Sequence, residues 1–547
     1  MSQSPVYTPR LARLYGAERA GQVAARLNAL VEHHLGRLPT SPVASLSERN
    51  VFLITYADQL QADGQHPLKT LAEFCETHLH DLVSGIHILP FYPWSSDDGF
   101  SVKDFRSVDP LLGDWSDIER LGRSFCLMFD GVINHASVQG DWFKGFLRAE
   151  KPYRDFFLTV KGSPDLSMVV RPRTFPLLTE FQTATGKRKV WTTFSADQAD
   201  LDYHNPDVLL EMIDILLMYV ERGAQFIRLD AIAYLWKEIG SGCIHLPQTH
   251  AVVQLLRMVL DQVAPHVRLI TETNVSHLEN LSYFGDGKNE AQLVYNFALP
   301  PLVLHTFRTA DASALTKWAS GLHTSSSQTT FFNFLASHDG IGLNPVQGIL
   351  SPADIEALVR QTLIHGGLIS YKQNPDGRRI PYEMNINYFD ALSDPAGEEP
   401  IAAQIDRFMA AQAIMLSLQG LPAIYFHSLF GSRNWLAGVK ETGQNRSINR
   451  QKLKLSGLVD ELSVPTSLRA QVFDRYRSLI ARRSAAPVFH PNGGQVVLDL
   501  GPAIFAVQRT SPHREYQMLC LQNITSQPQS AGEYRLKPYQ TLWVDIH

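Results

Sequence analysis

The sequence predicts an α/β protein built on a (β/α)8 TIM barrel, and three observations carry that expectation. Eight short, nearly continuous apolar runs recur between residues 51 and 430. Longer amphipathic stretches separate them, the pattern of parallel strands covered by helices. Polar and acidic residues stand at the ends of several runs, where a charge costs free energy unless it is paired or working, and where barrel active sites form.

The elements follow in order. Residues 8 to 48 read as a helical lead-in, with Leu11, Leu14, Tyr15, Val23, Leu27, Leu30 and Val31 at helix spacing. The strands are VFLITYAD (51–58), GIHILPF (85–91), CLMFDGVINH (126–135), AQFIRLDAI (224–232), RLITETN (268–274), QLVYNFAL (292–299), TFFNFLASHD (330–339) and AIYFHSLF (423–430). Residues 138–207 are too long for one loop and read as an inserted subdomain, followed by a helix over 208–222. A second insertion, about 343–392 and containing NPDGRRIPYEMNINYFDAL (374–392), follows the seventh strand. The barrel thus divides into 49–137 and 208–485, behind a lead-in of 1–48. From 486 to 547 short alternating runs broken by Gly, Pro and Ser predict a small C-terminal all-β domain.

Bulk properties narrow the partners. A chain of 547 residues, 44% apolar and 19% charged, is ordinary globular composition. A net charge of −5 argues against a nucleic-acid or anionic-membrane surface, which needs concentrated basic charge. Cys75, Cys126, Cys243 and Cys520 lack metal-ligand or C-x-x-C spacing and read as buried free thiols. The N-terminus has no signal-peptide core, and no apolar run is long enough to span a bilayer. The expectation is a cytoplasmic monomer or homodimer acting on small molecules, with no metal or organic cofactor.

The polar strand ends are Asp130, Asn134 and His135 after the third run, Arg228 and Asp230 on the fourth, Glu272 on the fifth, and His338 and Asp339 at the seventh. Asp230 and Glu272 come from neighbouring strands and can flank one substrate. Two such carboxyl groups suffice for retaining glycosidic chemistry, one attacking the anomeric carbon and the other handling the proton.

The segments DGVINH (130–135), IRLDAIAY (227–234), ITETN (270–274) and LASHDGIG (335–342) resemble the four signature regions of the α-amylase family, glycoside hydrolase family 13. The resemblance implies Asp230 as nucleophile, Glu272 as general acid/base and Asp339 as the third carboxylate. It further implies that Arg228 keeps Asp230 ionised, and that His135 and His338 hydrogen-bond glucose. HILPFYPWSSDDGFSVKDF (87–105), RPR (171–173), NFALPPLVLH (296–305), HDGIGLNP (338–345) and GQNRSINR (443–450) resemble the sucrose phosphorylase branch, over about 50–480. That likeness puts Asp97 and Arg446 on the far glucose hydroxyls, with Phe100, Tyr234 and Gln198 completing the pocket.

In that branch Arg173 and Tyr382 resemble the phosphate-handling pair, although the residues alone do not separate Arg173 from Arg171. The NPDG…PYE pattern and PWSSDDGFS are most similar to glucosylglycerate phosphorylases. An acceptor carboxylate needs a cation or a cluster of donors, and Arg378, Arg379, Lys372 and Arg433 are available, with Glu383 beside Tyr382. The expected reaction is reversible phosphorolysis of 2-O-α-glucosylglycerate to α-glucose 1-phosphate and glycerate, with retention. Alternatives are the same chemistry on sucrose, sucrose 6′-phosphate or glucosylglycerol, and more distantly an α-glucosidase or transglucosidase. A non-catalytic binding subunit is disfavoured because all three carboxylates are present.

Overall fold

A computed structural model describes residues 6–39, 45–373 and 378–546. Eight parallel strands close into a barrel: β1 Phe52–Thr55, β2 Gly85–Ile88, β3 Cys126–Gly131, β4 Ala224–Leu229, β5 Arg268–Thr271, β6 Leu293–Tyr295, β7 Thr330–Asn333 and β8 Leu421–Tyr425. Each pairs with its sequence neighbours, and β8 closes on β1. The first seven lie inside the predicted runs but are shorter, whereas β8 begins two residues before its run of 423–430. Asp230 and Glu272 are therefore the first residues beyond β4 and β5, and Asp339 lies six residues beyond β7.

The strands are buried on both faces, as their continuous apolar composition requires. Gly85 shows how tightly the interior is filled, since a Cβ there would meet the Phe52 ring at 2.5 Å. Helices such as Pro67–His78, Trp115–Gly122, Pro206–Glu221, Pro247–Val263, Ile401–Ser417 and Leu468–Ser484 cover the outside. Pro at the first turn of Pro206–Glu221, with Asn205 capping Asp207 N, explains why that helix starts after HNP.

The lead-in is shorter than predicted. Two helices, Thr8–Tyr15 and Ala17–Leu35, end at Gly36, and 45–50 are turn and coil. Leu11 and Leu27 are fully buried against the barrel helices. His34 places each ring nitrogen 2.7 Å from a carboxylate, Asp214 and Glu221, both on Pro206–Glu221.

Between β3 and β4 an antiparallel pair joins His135–Ser137 to Gln198–Asp200, and the insertion between them holds the helix Asp141–Leu147 and a separate three-stranded sheet (Thr159–Val160, Leu178–Thr183, Gly186–Trp191). The stretch after β7 is not one long loop. It contains the helix Pro352–Ile364 and an antiparallel sheet of Ile341–Gly342, Arg379–Asn385 and Leu368–Gln373. That sheet places Tyr382 and Glu383 on a strand, a rigid support that composition did not reveal. The NPDG of 374–377 lies outside the described residues.

The terminal strands Gly494–Asp499, Ile504–Thr510, Gln517–Asn523 and Thr541–Ile546 form a four-stranded antiparallel sheet. Two buried arginines staple it to the barrel: Arg509 donates to the carbonyls of Ser417, Gly494 and His490, and Arg483 to those of Leu416, Gly420 and Phe489. Cys75, Cys243 and Cys520 are buried free thiols, while Cys126 is half-buried. Among the described residues no helix is long and apolar enough to cross a membrane.

Candidate active site

Beyond the C-terminal strand ends lies a cavity of about 610 Å³ including its open mouth. It is lined by Asp97, Phe100, His135, Arg173, Gln198, Asp230, Tyr234, Glu272, His338, Asp339, Tyr382 and Arg446. Twelve of the sixteen residues predicted for the site therefore share one cavity; the other four are Arg228, Glu383, Arg379 and Arg433.

Strand register explains the first charges. The β3–β4 ladder sets Arg228 beside Asp130, and Arg228 NH1 reaches both the Asp130 carboxylate and Asp230 Oδ1, the latter at 2.9 Å. Asp130 is also held by His87 Nε2 at 2.8 Å. Arg228 is thus fully buried beneath the cavity and shared between two carboxylates. Asp230 N bonds Gly131 O, and Glu272 N bonds Leu229 O, so both residues continue the barrel ladder. Ala231 adopts a left-handed φ of 49° and donates its N–H to Glu272 Oε2 at 2.9 Å. Left-handed backbone at a residue with a side chain is costly and clusters at functional sites.

Burial is the largest influence on both Asp230 and Glu272 and pushes each up to about 7. Arg228 opposes this at both, while neighbouring carboxylates add to it: Asp130 and Asp339 at Asp230, Asp230 and Asp339 at Glu272. The expectation that Arg228 keeps Asp230 ionised needs correction, because burial outweighs the guanidinium and Asp130 claims it as well. The two carboxyls are better treated as a pair that gives up its protons in coupled steps. When the pair holds one proton, Glu272 is the favoured carrier: Asp230 accepts a charge-assisted bond from Arg228, whereas Glu272 accepts a backbone N–H.

Asp339 behaves differently. Burial pushes it up, but Arg446, Arg450, Arg228 and Arg173 together hold it below the ordinary carboxylate range. Arg446 NH1 lies 2.5 Å from Asp339 Oδ1 and Arg450 NH2 lies 3.6 Å from it. His338 stacks on Phe100 with centroids 4.8 Å apart and planes 6° from parallel. Burial and nearby arginines hold the His338 imidazole neutral, and its buried Nδ1 has no hydrogen-bond partner. An orphaned buried nitrogen costs free energy that a ligand hydroxyl would recover.

Asp97 and Asp98 both have positive φ, in a turn that sends Asp97 to the cavity and Asp98 to Arg450 at 2.5 Å. Gln198 Nε2 lies 3.4 Å from Asp97 Oδ2. Glu383 does not line the cavity; it grips Arg446 through two bonds of 2.9 and 2.7 Å and accepts Gly340 N at 2.9 Å. Arg446 is therefore held by carboxylates on two elements.

The structure separates the arginines that composition could not. Arg171 donates to the Phe175 carbonyl and does not line the cavity. Arg173 does line it, with its guanidinium 5.6 Å from the Tyr382 ring centroid and 6.0 Å from that of Phe194. Its recorded carboxylate contact, Glu383 Oε2, is 3.9 Å away. The cations suggested for an acceptor carboxylate are elsewhere. Arg433 is bound to Asp390 and Gln404 and lies over Phe389. Lys372 donates to Asn344 Oδ1 at 2.7 Å, and Arg378 and Arg379 are exposed; none of the four lines the cavity.

Sequence reading missed Phe194, Thr273 and Asn274 as lining residues. Phe194 packs edge-on against Tyr234 at 5.6 Å and lies 5.3 Å from the His135 ring. Its only signal was membership of the aromatic segment before DQADLDYHNP. Asn274, two residues beyond Glu272, lies against Gly342, where any Cβ would collide with its amide at 2.5 Å.

Raising a carboxyl pKa on folding has a stability consequence. The unfolded chain ionises Glu272 near the ordinary 4.5, the folded one near 7. Stability is thus complete below about 4.5 and falls as pH rises toward 7. Glu272→Gln should raise the unfolding temperature by about 1–3 °C at pH 8. The gain should vanish toward pH 4.5 in differential scanning fluorimetry; a pH-independent difference would contradict the assignment.

The arrangement of a nucleophile-ready carboxylate, a protonatable one and a cation-held third can break and form glucosidic bonds. Residues 78–344 match the family model described as the α-amylase catalytic domain. The chain is 50% identical over 543 residues to a glucosylglycerate phosphorylase of Allomeiothermus silvanus, covering 97% of this chain and 96% of that one. It is 44% identical to a glucosylglycerate phosphorylase of Escherichia coli K12, covering 91% and 92%. A solved sucrose 6F-phosphate phosphorylase from Thermoanaerobacter thermosaccharolyticum superposes with a TM-score of 0.78 over 92% of this chain and 97% of that one, at 24% identity, a likeness of fold. With this barrel and this degree of identity, the chain belongs to the α-amylase family, in the branch occupied by the glucosylglycerate phosphorylases.

Proposed function

We propose that this enzyme carries out the reversible phosphorolysis of 2-O-α-D-glucosylglycerate to α-D-glucose 1-phosphate and D-glycerate, with retention at the anomeric carbon. Asp230 attacks that carbon while Glu272 gives its proton to the departing glycerate oxygen. Phosphate then displaces Asp230 from the glucosyl-enzyme, and its proton passes to Glu272. Asp339, His338, His135, Asp97 and Arg446 hold the glucosyl unit.

The observation that carries the phosphorylase reading is Arg173. Besides Arg446, which is already engaged by Asp339 and Glu383, it is the only arginine or lysine among the described residues lining the cavity. Its planar fork suits both phosphate and carboxylate. We infer that one guanidinium serves both anions in turn, since glycerate and phosphate occupy the acceptor space at different stages. The more distant cations are then unnecessary.

Two measurements test this. Glucose 1-phosphate offered with glycerate, glycerol, fructose or fructose 6-phosphate should release phosphate fastest with glycerate; another best acceptor would refute the substrate while leaving the chemistry. Arg173→Ala should raise the KM for phosphate by about 30–150-fold, the loss of one charge-assisted contact of about 2–3 kcal/mol. It should also narrow the preference for glycerate over glycerol. An unchanged preference would remove Arg173 from the acceptor site.

A further inference from the structure

One buried cation that the reaction does not use is Lys237, 5% exposed and lying just beyond the short helix that follows β4. We propose that Lys237 is a positioning residue for glucosyl transfer: through Asn134 and Asp200 its ammonium group holds His135 as the neutral, Nε2-protonated imidazole that lines the donor cavity.

The donor and acceptor roles follow one from another. Lys237 Nζ lies 2.5 Å from Asp200 Oδ2 and 2.8 Å from Asn134 Oδ1. An ammonium only donates, so Asn134 must turn its carbonyl toward Lys237. Its amide nitrogen then faces Asp200 Oδ2 and His135 Nδ1, each at 3.2 Å. An amide NH2 also only donates, so His135 Nδ1 must accept and the ring proton resides on Nε2. At Nε2 the Phe100 carbonyl, 2.9 Å away, is the closer partner and accepts that proton, while the Gln198 amide nitrogen, 3.2 Å from Nε2, has the Phe100 carbonyl and Asp97 Oδ2 as its own acceptors, each at 3.4 Å. Thr193 donates to Asp200 from its backbone N at 2.8 Å and from its hydroxyl at 2.7 Å, and β-pairing sets His135 opposite Asp200. The network therefore joins the barrel, through Asn134 and Lys237, to the inserted subdomain, through Thr193, Asp200 and Gln198.

Charge balance gives the same result. Burial is the main influence keeping His135 from protonating; Asp200, the Phe100 carbonyl and Asp97 oppose it, and Lys237 supports it. The remaining neighbours, Gln198 and Phe194, are uncharged. Without Lys237 the Asp200 charge is uncompensated beside His135. The ring then takes a second proton, Nδ1–H confronts the Asn134 amide, and the pocket wall rearranges.

The proposal rests on the glucosyl-transfer reading, and the wild-type enzyme's phosphate-dependent turnover, measured alongside, tests that reading separately. Lys237→Met should move the acid limb of the kcat/KM profile for the glucosyl donor upward by about one pH unit or more. The donor KM should rise more than kcat falls, and calorimetric glucose binding should show the same pH shift without turnover. Asp200→Asn combined with Lys237→Met removes both charges and should return the limb to the wild-type position. An unmoved limb in Lys237→Met, or a double variant that stays shifted, would overturn the proposal. Should Lys237→Met fail to fold, Asp200→Asn alone decides: an upward shift there refutes the charge argument, and a limb at or below wild type supports it.

Discussion

Asp230→Asn is expected to lower kcat for glucosyl transfer by about 10⁴–10⁶-fold, the range seen when a covalent nucleophile is removed from a site that otherwise stays intact. The reason is local. Asp230 is the first residue beyond β4, its position is set by the ladder bond to Gly131, and Arg228 fixes one carboxylate oxygen. An amide of the same size keeps the packing but cannot form the glucosyl ester. The fold should survive, because burial penalises the Asp230 charge that the substitution removes; thermal unfolding at pH 8 should occur at or above the wild-type temperature. The check is single-turnover formation of a glucosyl-enzyme, read by intact-protein mass. A variant within a hundredfold of wild type would mean that another group attacks.

Glu272→Gln should produce a loss that depends on the leaving group. With glucosylglycerate the departing alkoxide needs a proton, and removing a general acid costs about 10²–10⁴-fold. With α-glucosyl fluoride as donor and phosphate as acceptor, neither half-reaction needs Glu272 for a proton: fluoride leaves unaided and phosphate arrives as an anion. That pair of substrates should retain activity within about tenfold, since only proton transfer has been removed. Transfer from the fluoride to glycerate should remain slow, because its hydroxyl must be deprotonated. Equal losses for all three pairings would make Glu272 a structural residue. The coupled ionisation of Asp230 and Glu272 also predicts a bell-shaped wild-type profile around pH 7. With the fluoride and phosphate, which do not need the Glu272 proton, the alkaline limb should be absent in Glu272→Gln and in the wild type alike.

The barrel was legible because its strands are buried on both faces and must therefore be continuously apolar, and the carboxylates stood out because burying them without purpose is costly. Eight runs predicted eight strands, in the right order, with Asp230 and Glu272 one position beyond their ends and Asp339 six. The helical lead-in was overextended because its bound ran past Gly36, which ends the helix, and past the helix-breaking Pro39 and Pro42. The sheet after β7 was hidden because its strands are only partly apolar and one is two residues long.

The cations were the least legible feature, and for a physical reason. Arginine and lysine have long, flexible side chains, so sequence position does not say which carboxylate they reach. Arg433, Lys372, Arg378 and Arg379 were plausible by proximity to a motif, yet Asp390 takes the first, Asn344 the second, and the last two are exposed on the surface. Lys237 carried no signal, although it is buried beside Asp200 and Asn134.

By itself the sequence determined the barrel and placed Asp230, Glu272 and Asp339 at its strand ends, because strand burial and the cost of buried charge act along the chain. Tertiary structure alone decided that Arg228 is shared with Asp130, that Arg173 and not Arg171 lines the cavity, and that Glu383 secures Arg446. Those are pairings between residues distant in sequence, and electrostatic partnership depends on distances in space that only the closed barrel and its insertions set.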